Sequence, residues 1–180
     1  MLRWLARRKN ANATALQLYG SSVAQARLPV FYRDWCVADS FSGRFDLVAL
    51  HVALLLRRLT AEGEAGKDLG RSLVEQMFSA LDDDLRKIGV GDLTVPKKVR
   101  AAAGSFYGSL KAYDAALENQ DDGALALALS RNVQPAEHKE VAAARLAAYV
   151  RDAAASLAGQ DMLELGQGQV SFPRPTEIDR

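Results

Sequence analysis

Few residues in this chain are equipped for chemistry. Histidine occurs twice, as His51 and His138, and cysteine once, as Cys36. Helical di-iron enzymes carry inward Glu-x-x-His pairs, but neither histidine has a glutamate three residues before it. His51 lies among leucines, the setting of a buried imidazole bonded to a neighbour, with a ligand or haem contact as its other possible role. His138 stands between Glu137 and Lys139-Glu140, the pattern of a solvated helix face. Asp82, Asp83 and Asp84 suggest paired carboxylates or a metal site, yet consecutive helical side chains diverge by about 100° and do not converge. Cys36 has no local histidine to activate it, and GVGDLT lacks the lysine and spacing of a phosphate loop. The reading is a non-enzyme without a cofactor. The one polar set open to a helical lipid- or small-molecule-binding protein is His51 with Asp46 or Asp39.

Other features point to contact rather than catalysis. Residues 28–46, LPVFYRDWCVADSFSGRFD, hold Phe31, Tyr32, Trp35, Phe41 and Phe45 in an aromatic-poor chain. Each such ring carries about 150–250 Å², and five left bare would exceed the apolar patch a soluble monomer tolerates. They either plug the core or offer a surface to a partner. Lys97, Lys98 and Arg100 fall in the first turn of an expected helix, where the dipole disfavours cations by a few tenths of a kcal/mol each. They either pair with Asp92 or the 82–84 run, or are kept for an anionic partner such as lipid headgroups or RNA. In MLRWLARRKN, Leu2, Trp4 and Leu5 stand beside Arg3, Arg7, Arg8 and Lys9. That is a miniature interfacial pattern, either a weak membrane contact or a frayed helix start.

The elements that must position these residues are helical. Leu16, Tyr19, Val23 and Ala26 predict a helix over 11–27, ended by Leu28-Pro29. The aromatic segment reads as loop plus one or two helical turns, since no second strand exists to pair with it. A helix over 45–60 is apolar nearly all round and therefore central. The stretch TAEGEAGKD reads as a mobile loop. Further helices are expected at 69–88, with Gly89 as a left-handed cap, at 96–119 with Pro96 in its first turn, at 122–132 and at 136–159. Gly104 and Gly108, four apart, would admit a close neighbouring backbone. The expected fold is all-α: a single-domain bundle of about six helices with an irregular aromatic-rich segment after the first. A basic segment at 1–10 precedes a helical domain at 11–165, and 166–180 reads as a flexible, disordered tail.

Bulk properties narrow the partners. With 180 residues, 49% hydrophobic, the chain can bury a core without staples. A net charge of +1 argues against a dedicated nucleic-acid binder. The charge is uneven: up to residue 45 there are seven basic and two acidic residues, and afterwards sixteen and twenty. A lone cysteine fits a reducing compartment. The longest apolar run, LVALHVALLL at 47–56, is ten residues with a histidine, against about 20 for a span. The opening lacks a secretory signal. The expected location is cytoplasmic, peripheral at an inner membrane.

Three strings together are specific. LP-x-FY-x-x-W at 28–35, GRFD at 43–46 leading into an LH-containing helix, and GVGDL-x-V-x-K-x-V at 89–99 followed by FYG resemble the ubiquinol–cytochrome c chaperone family. The resemblance covers about residues 16–118. It implies a non-enzymatic assembly factor of respiratory complex III that binds newly made cytochrome b until haem and partner subunits take over. Mitochondrial members act with a small partner protein near the ribosomal exit. The absence of a transit peptide here resembles a bacterial homologue. Under this reading Phe31, Tyr32, Trp35, Phe41 and Phe45 would line a client groove bordered by Arg33, Arg44, Lys97 and Lys98, with ribosome or inner-membrane contact alongside. A lipid- or small-molecule-binding protein and a general interaction scaffold remain the alternatives.

Overall fold

A helix without a polar side must be surrounded. Leu47, Leu50, Val52, Leu54, Leu55 and Leu59 are all nearly or fully buried on one helix, α3 (Phe41–Thr60), which packs against α1 (Leu2–Ala26), α4 (Glu64–Lys87), α5 (Val95–Glu118) and α7 (Lys139–Ala158). Shorter pieces complete the set: α2 (Pro29–Arg33), α6 (Asp122–Asn132) and α8 (Met162–Gly166). The computed structural model describes the backbone of residues 2–133 and 139–176, and the side chains of 11–133 and 140–176. Among the described residues there are eight helices and no strand. The six longer ones are those the apolar spacing predicts, and the all-α expectation holds.

Local chemistry sets the boundaries. Leu28 is extended before Pro29, and α1 stops at Ala26. Ser40 caps α3 by accepting the amide N–H of Gly43 at 3.1 Å. Gly43 is required there, because a Cβ would stand 2.1 Å from the Ala38 carbonyl oxygen. Gly89 adopts φ +87° after α4, and the Val90 amide returns to Leu85 O at 3.0 Å. Polar ties join the helices. Arg57 donates to Asp114 at 2.9 Å, linking α3 to α5. Arg58 donates to the Leu157 and Gln160 carbonyls at 3.0 and 2.9 Å, linking α3 to the end of α7.

Four expectations need correction. The loop TAEGEAGKD is cut short, since α4 already begins at Glu64. Helix α3 begins at Phe41 rather than near residue 45, because the Ser40 cap starts it earlier. Gly104 and Gly108 admit no neighbouring helix: both are exposed, and a Cβ at either meets nothing within 4 Å. The stretch 166–176 is not a loose tail. It folds back over α1 and α3, with Thr14 Oγ1 donating to Gly166 O at 3.1 Å and Gln25 Nε2 donating to Pro173 O at 2.8 Å.

Candidate functional site

The aromatic segment divides between core and surface. Phe31 is 0% and Trp35 3% exposed. They stand edge-to-face, centroids 5.3 Å apart, and Phe31 meets Tyr149 of α7 at 5.3 Å and His51 at 5.8 Å. Phe172 closes this nest against His51 at 5.1 Å, while Trp35 Nε1 donates to the Thr176 carbonyl at 3.2 Å. Phe31 therefore lines none of the surface recesses, and Trp35 shows only an edge to a small recess shared with Cys36, Val141, Ala142 and Arg145, away from the basic groove around Arg44 and the cavity between α3 and α5. Offset and edge-to-face packing satisfies their ring quadrupoles inside the core.

His51 belongs to the same nest. Its Nδ1 lies 2.7 Å from the Leu47 carbonyl, which can only accept, so Nδ1 carries the proton. Nε2 then accepts from the Tyr149 hydroxyl at 2.8 Å. The Tyr149 oxygen in turn accepts from Gln25 Nε2 at 3.0 Å. Burial pushes the imidazole down to about 4. The set of His51 with Asp46 or Asp39 is thus not assembled, because both ring nitrogens are already committed elsewhere.

The remaining aromatic and basic residues gather around the first turns of α3. On one side Arg27, Pro29, Tyr32, Arg33, Asp39 and Arg44 enclose an open groove of about 570 Å³. Tyr32 is half-buried and donates to the Ala26 carbonyl at 2.8 Å; burial raises its phenol. Arg44 pairs with Asp39 at 2.6 Å, and Arg33 with Asp34 at 2.8 Å. On the other side a narrower cavity of about 230 Å³ lies between α3 and α5, walled by Phe45, Ala49, Leu50, Ala102 and Phe106. Asp46, Ser42, Ser105, Ser109, Tyr113 and Asn132 supply its polar lining. Phe41, 42% exposed, precedes Arg44 by three positions and Phe45 by four, so it neighbours both on the helix surface.

Lys97 and Lys98 are exposed in the first turn of α5. Three of the acids expected to neutralise them are paired with α4 cations instead: Arg86 pairs with Asp82 at 2.6 Å and also with Asp92, and Lys87 pairs with Asp84 at 3.0 Å. The acidic run is thus part of a surface ion-pair ladder. Cys36 is half-buried with φ +57°. His138 and the side chains of Leu2, Trp4, Leu5, Arg7 and Arg8 lie outside the described residues. No three His, Cys, Asp or Glu side chains come together to hold a metal among the described residues, and no described helix is long and apolar enough to cross a membrane.

Sequence reasoning missed the cavity. Its signal was present as a stripe at helical spacing, Ser42, Asp46, Ala49 and Ala53, on the otherwise leucine-rich α3, facing Ser105 and Ser109 on α5. Small residues opposite small residues leave space unfilled.

Comparison with known proteins now bears on the site. The family model described as ubiquinol-cytochrome C chaperone matches residues 33–172. The chain belongs to that family. It is 29% identical over 161 residues to the human protein named ubiquinol-cytochrome c reductase complex assembly factor 1, covering 85% of this chain and 52% of that one. It is 31% identical over 150 residues to the Drosophila melanogaster protein of the same name, covering 80% and 58%. It spans about half the length of these relatives. A solved structure described as the Cbp3 homolog from Brucella abortus superposes with a TM-score of 0.84 at 35% identity, covering 99% of this chain and 100% of that one. Every aromatic and basic residue of the groove and cavity from Arg33 onward falls inside the matched stretch.

Proposed function

We propose that this family member is a non-enzymatic assembly chaperone of the ubiquinol–cytochrome c reductase complex whose client is newly made cytochrome b. The observation that carries the reading is the surface at the start of α3. There the exposed Phe41 lies one helical turn before Arg44, which lines the basic groove, and Phe45, which lines the cavity between α3 and α5. A membrane-bound subunit that is still unassembled presents apolar segments of about 20 residues, costly to leave in water, flanked by polar ends. A recess with apolar and polar walls beside cations suits such an end, with the apolar walls sheltering part of the segment and the arginines meeting its anionic surroundings. Tyr32, Arg33, Phe41, Arg44 and Phe45 would make this contact. Lys97 and Lys98 on α5 would extend it towards anionic headgroups at the inner-membrane surface. Phe31 and Trp35 would act only by holding the segment in place.

Tagged protein recovered from its own membranes after mild crosslinking tests this. Cytochrome b should come with it, and Phe41→Ala combined with Arg44→Glu should lower its recovery without changing the melting temperature. Recovery of unrelated soluble proteins without cytochrome b would overturn the reading.

A further inference from the structure

Among the side chains lining the cavity between α3 and α5, one carries charge at neutral pH, the carboxylate of Asp46. The carboxyl is half-buried and supported by the Ser42 hydroxyl. No Lys or Arg among the described residues forms an ion pair with it. Burial pushes it up to about 6, the signature of a carboxylate that lacks a counter-charge. It faces one other titratable group, Tyr113, whose phenol is raised by its burial and is engaged by Asn132 and Ser109.

The rest of the lining defines what could supply that charge. Hydroxyl and amide oxygens of Ser105, Ser109 and Asn132 are acceptors for N–H donors. Phe45 and Phe106 offer ring surface, against which a guanidinium or ammonium is attracted. The volume of about 230 Å³ has room for one long side chain. A stem of methylenes would lie along Ala49, Leu50 and Ala102, as cationic side chains bury their stems while the head finds polar partners.

We propose that this cavity receives one cationic side chain, an arginine or lysine, of the client segment, which supplies the ion-pair partner that Asp46 lacks. The proposal deepens the client reading above and rests on it. It makes the cavity a specificity pocket rather than a general apolar shelter. An incoming cation restores the carboxylate's ionisation, whereas a neutral or acidic side chain leaves it desolvated and unpaired.

Titration of the full chain with n-butylguanidinium and n-butylammonium tests the pocket, read by carbon NMR of the Asp46 carboxyl and by the amides of Ala49 and Ala102. Saturable shifts are expected, with the Asp46 midpoint falling by about one pH unit at saturation. n-Butanol, with the same stem and no charge, should bind about tenfold more weakly or worse. Asp46→Asn should abolish cation binding. Ala102→Leu, which fills the cavity and keeps the carboxylate, should do the same. Absence of saturable shifts, equal binding of butanol, or unchanged cation binding by Asp46→Asn would each overturn the proposal.

Recovery of cytochrome b on wild-type and Asp46→Asn protein then separates the two readings. Recovery by wild type and about tenfold less by the variant supports the pocket as a client contact. Equal recovery by both overturns the pocket and leaves the client reading intact. Recovery by neither overturns the client reading, and the cation titration alone then decides the pocket's specificity.

Discussion

The Tyr149 hydroxyl donates a hydrogen bond to Nε2 of His51 across the core, from α7 to α3, at 2.8 Å. The same oxygen accepts from Gln25 of α1, so three helices meet at one buried atom. Replacing Tyr149 by Phe leaves Nε2 of His51 without a donor and reduces the acceptors of Gln25 Nε2 to the Pro173 carbonyl. A loss of about 1–3 kcal/mol follows from stranding such a group. Denaturant unfolding of Tyr149→Phe measures it, and a change below half of that range would mean that water replaces the hydroxyl.

His51 and Asp46 act in opposite directions on stability over one pH window. His51 has its folded pKa lowered from 6.5 to about 4. The stability due to its neutral form is complete above 6.5 and is lost as pH falls towards 4, by about 3 kcal/mol in all. Asp46 has its folded pKa raised from 3.8 to about 6. Its contribution is complete below 3.8 and is lost as pH rises through 6; solvent screening of this half-exposed group reduces it to about 1 kcal/mol. Asp46→Asn removes the opposing contribution, so its stability should fall more steeply than wild type between pH 6 and 4. Parallel denaturation curves at half-unit pH steps check the sign.

Phe31 and Phe41 should behave as opposites. Phe31→Ala opens a cavity in the ring nest and should cost about 3–5 kcal/mol. Phe41→Ala alters an exposed ring and should stay within about 0.5 kcal/mol of wild type. If client recovery falls for Phe41→Ala at unchanged stability, surface and core roles of the segment are separated.

Gly43→Ala places a methyl 2.1 Å from the Ala38 carbonyl oxygen. Backbone rather than a flexible side chain must give way, so a loss of about 2–4 kcal/mol is expected. Thermal unfolding measures it. The start of α3, and with it the groove and the cavity, should lose amide-exchange protection first.

Lys97→Gln with Lys98→Gln should raise stability slightly, by a few tenths of a kcal/mol each, because cations at a helix N-terminus oppose the dipole. Lower binding to vesicles containing anionic lipid, at equal or higher stability, would identify the pair as kept for contact. Unchanged binding would leave their exposure without a role in the proposed surface.

The helices were legible because their apolar residues recur every three or four positions, and caps such as Gly89 and breaks such as Leu28-Pro29 have local chemical causes. The aromatic segment left two readings open. The distant partners of Phe31 and Trp35, namely Tyr149 and Thr176, lie more than a hundred residues away, and no local pattern announces them. The packing of 166–176 was hidden for the same reason: FPRP has the composition of a tail, while its anchors are single bonds to distant Gln25 and Trp35. Asp46 and His51 lie five positions apart in the sequence, yet one helix turns their side chains to different neighbours. The cavity depends on which face of α5 meets α3, and that is a tertiary fact.

The strap formed by residues 166–176 has a consequence for biosynthesis. The ring nest around His51 draws its cover from Phe172 and Thr176, among the last described residues to leave the ribosome. Until they emerge, a growing chain carries an uncovered imidazole and an unfinished apolar centre. The centre of the bundle is therefore closed only once the residues that follow α8 have been made.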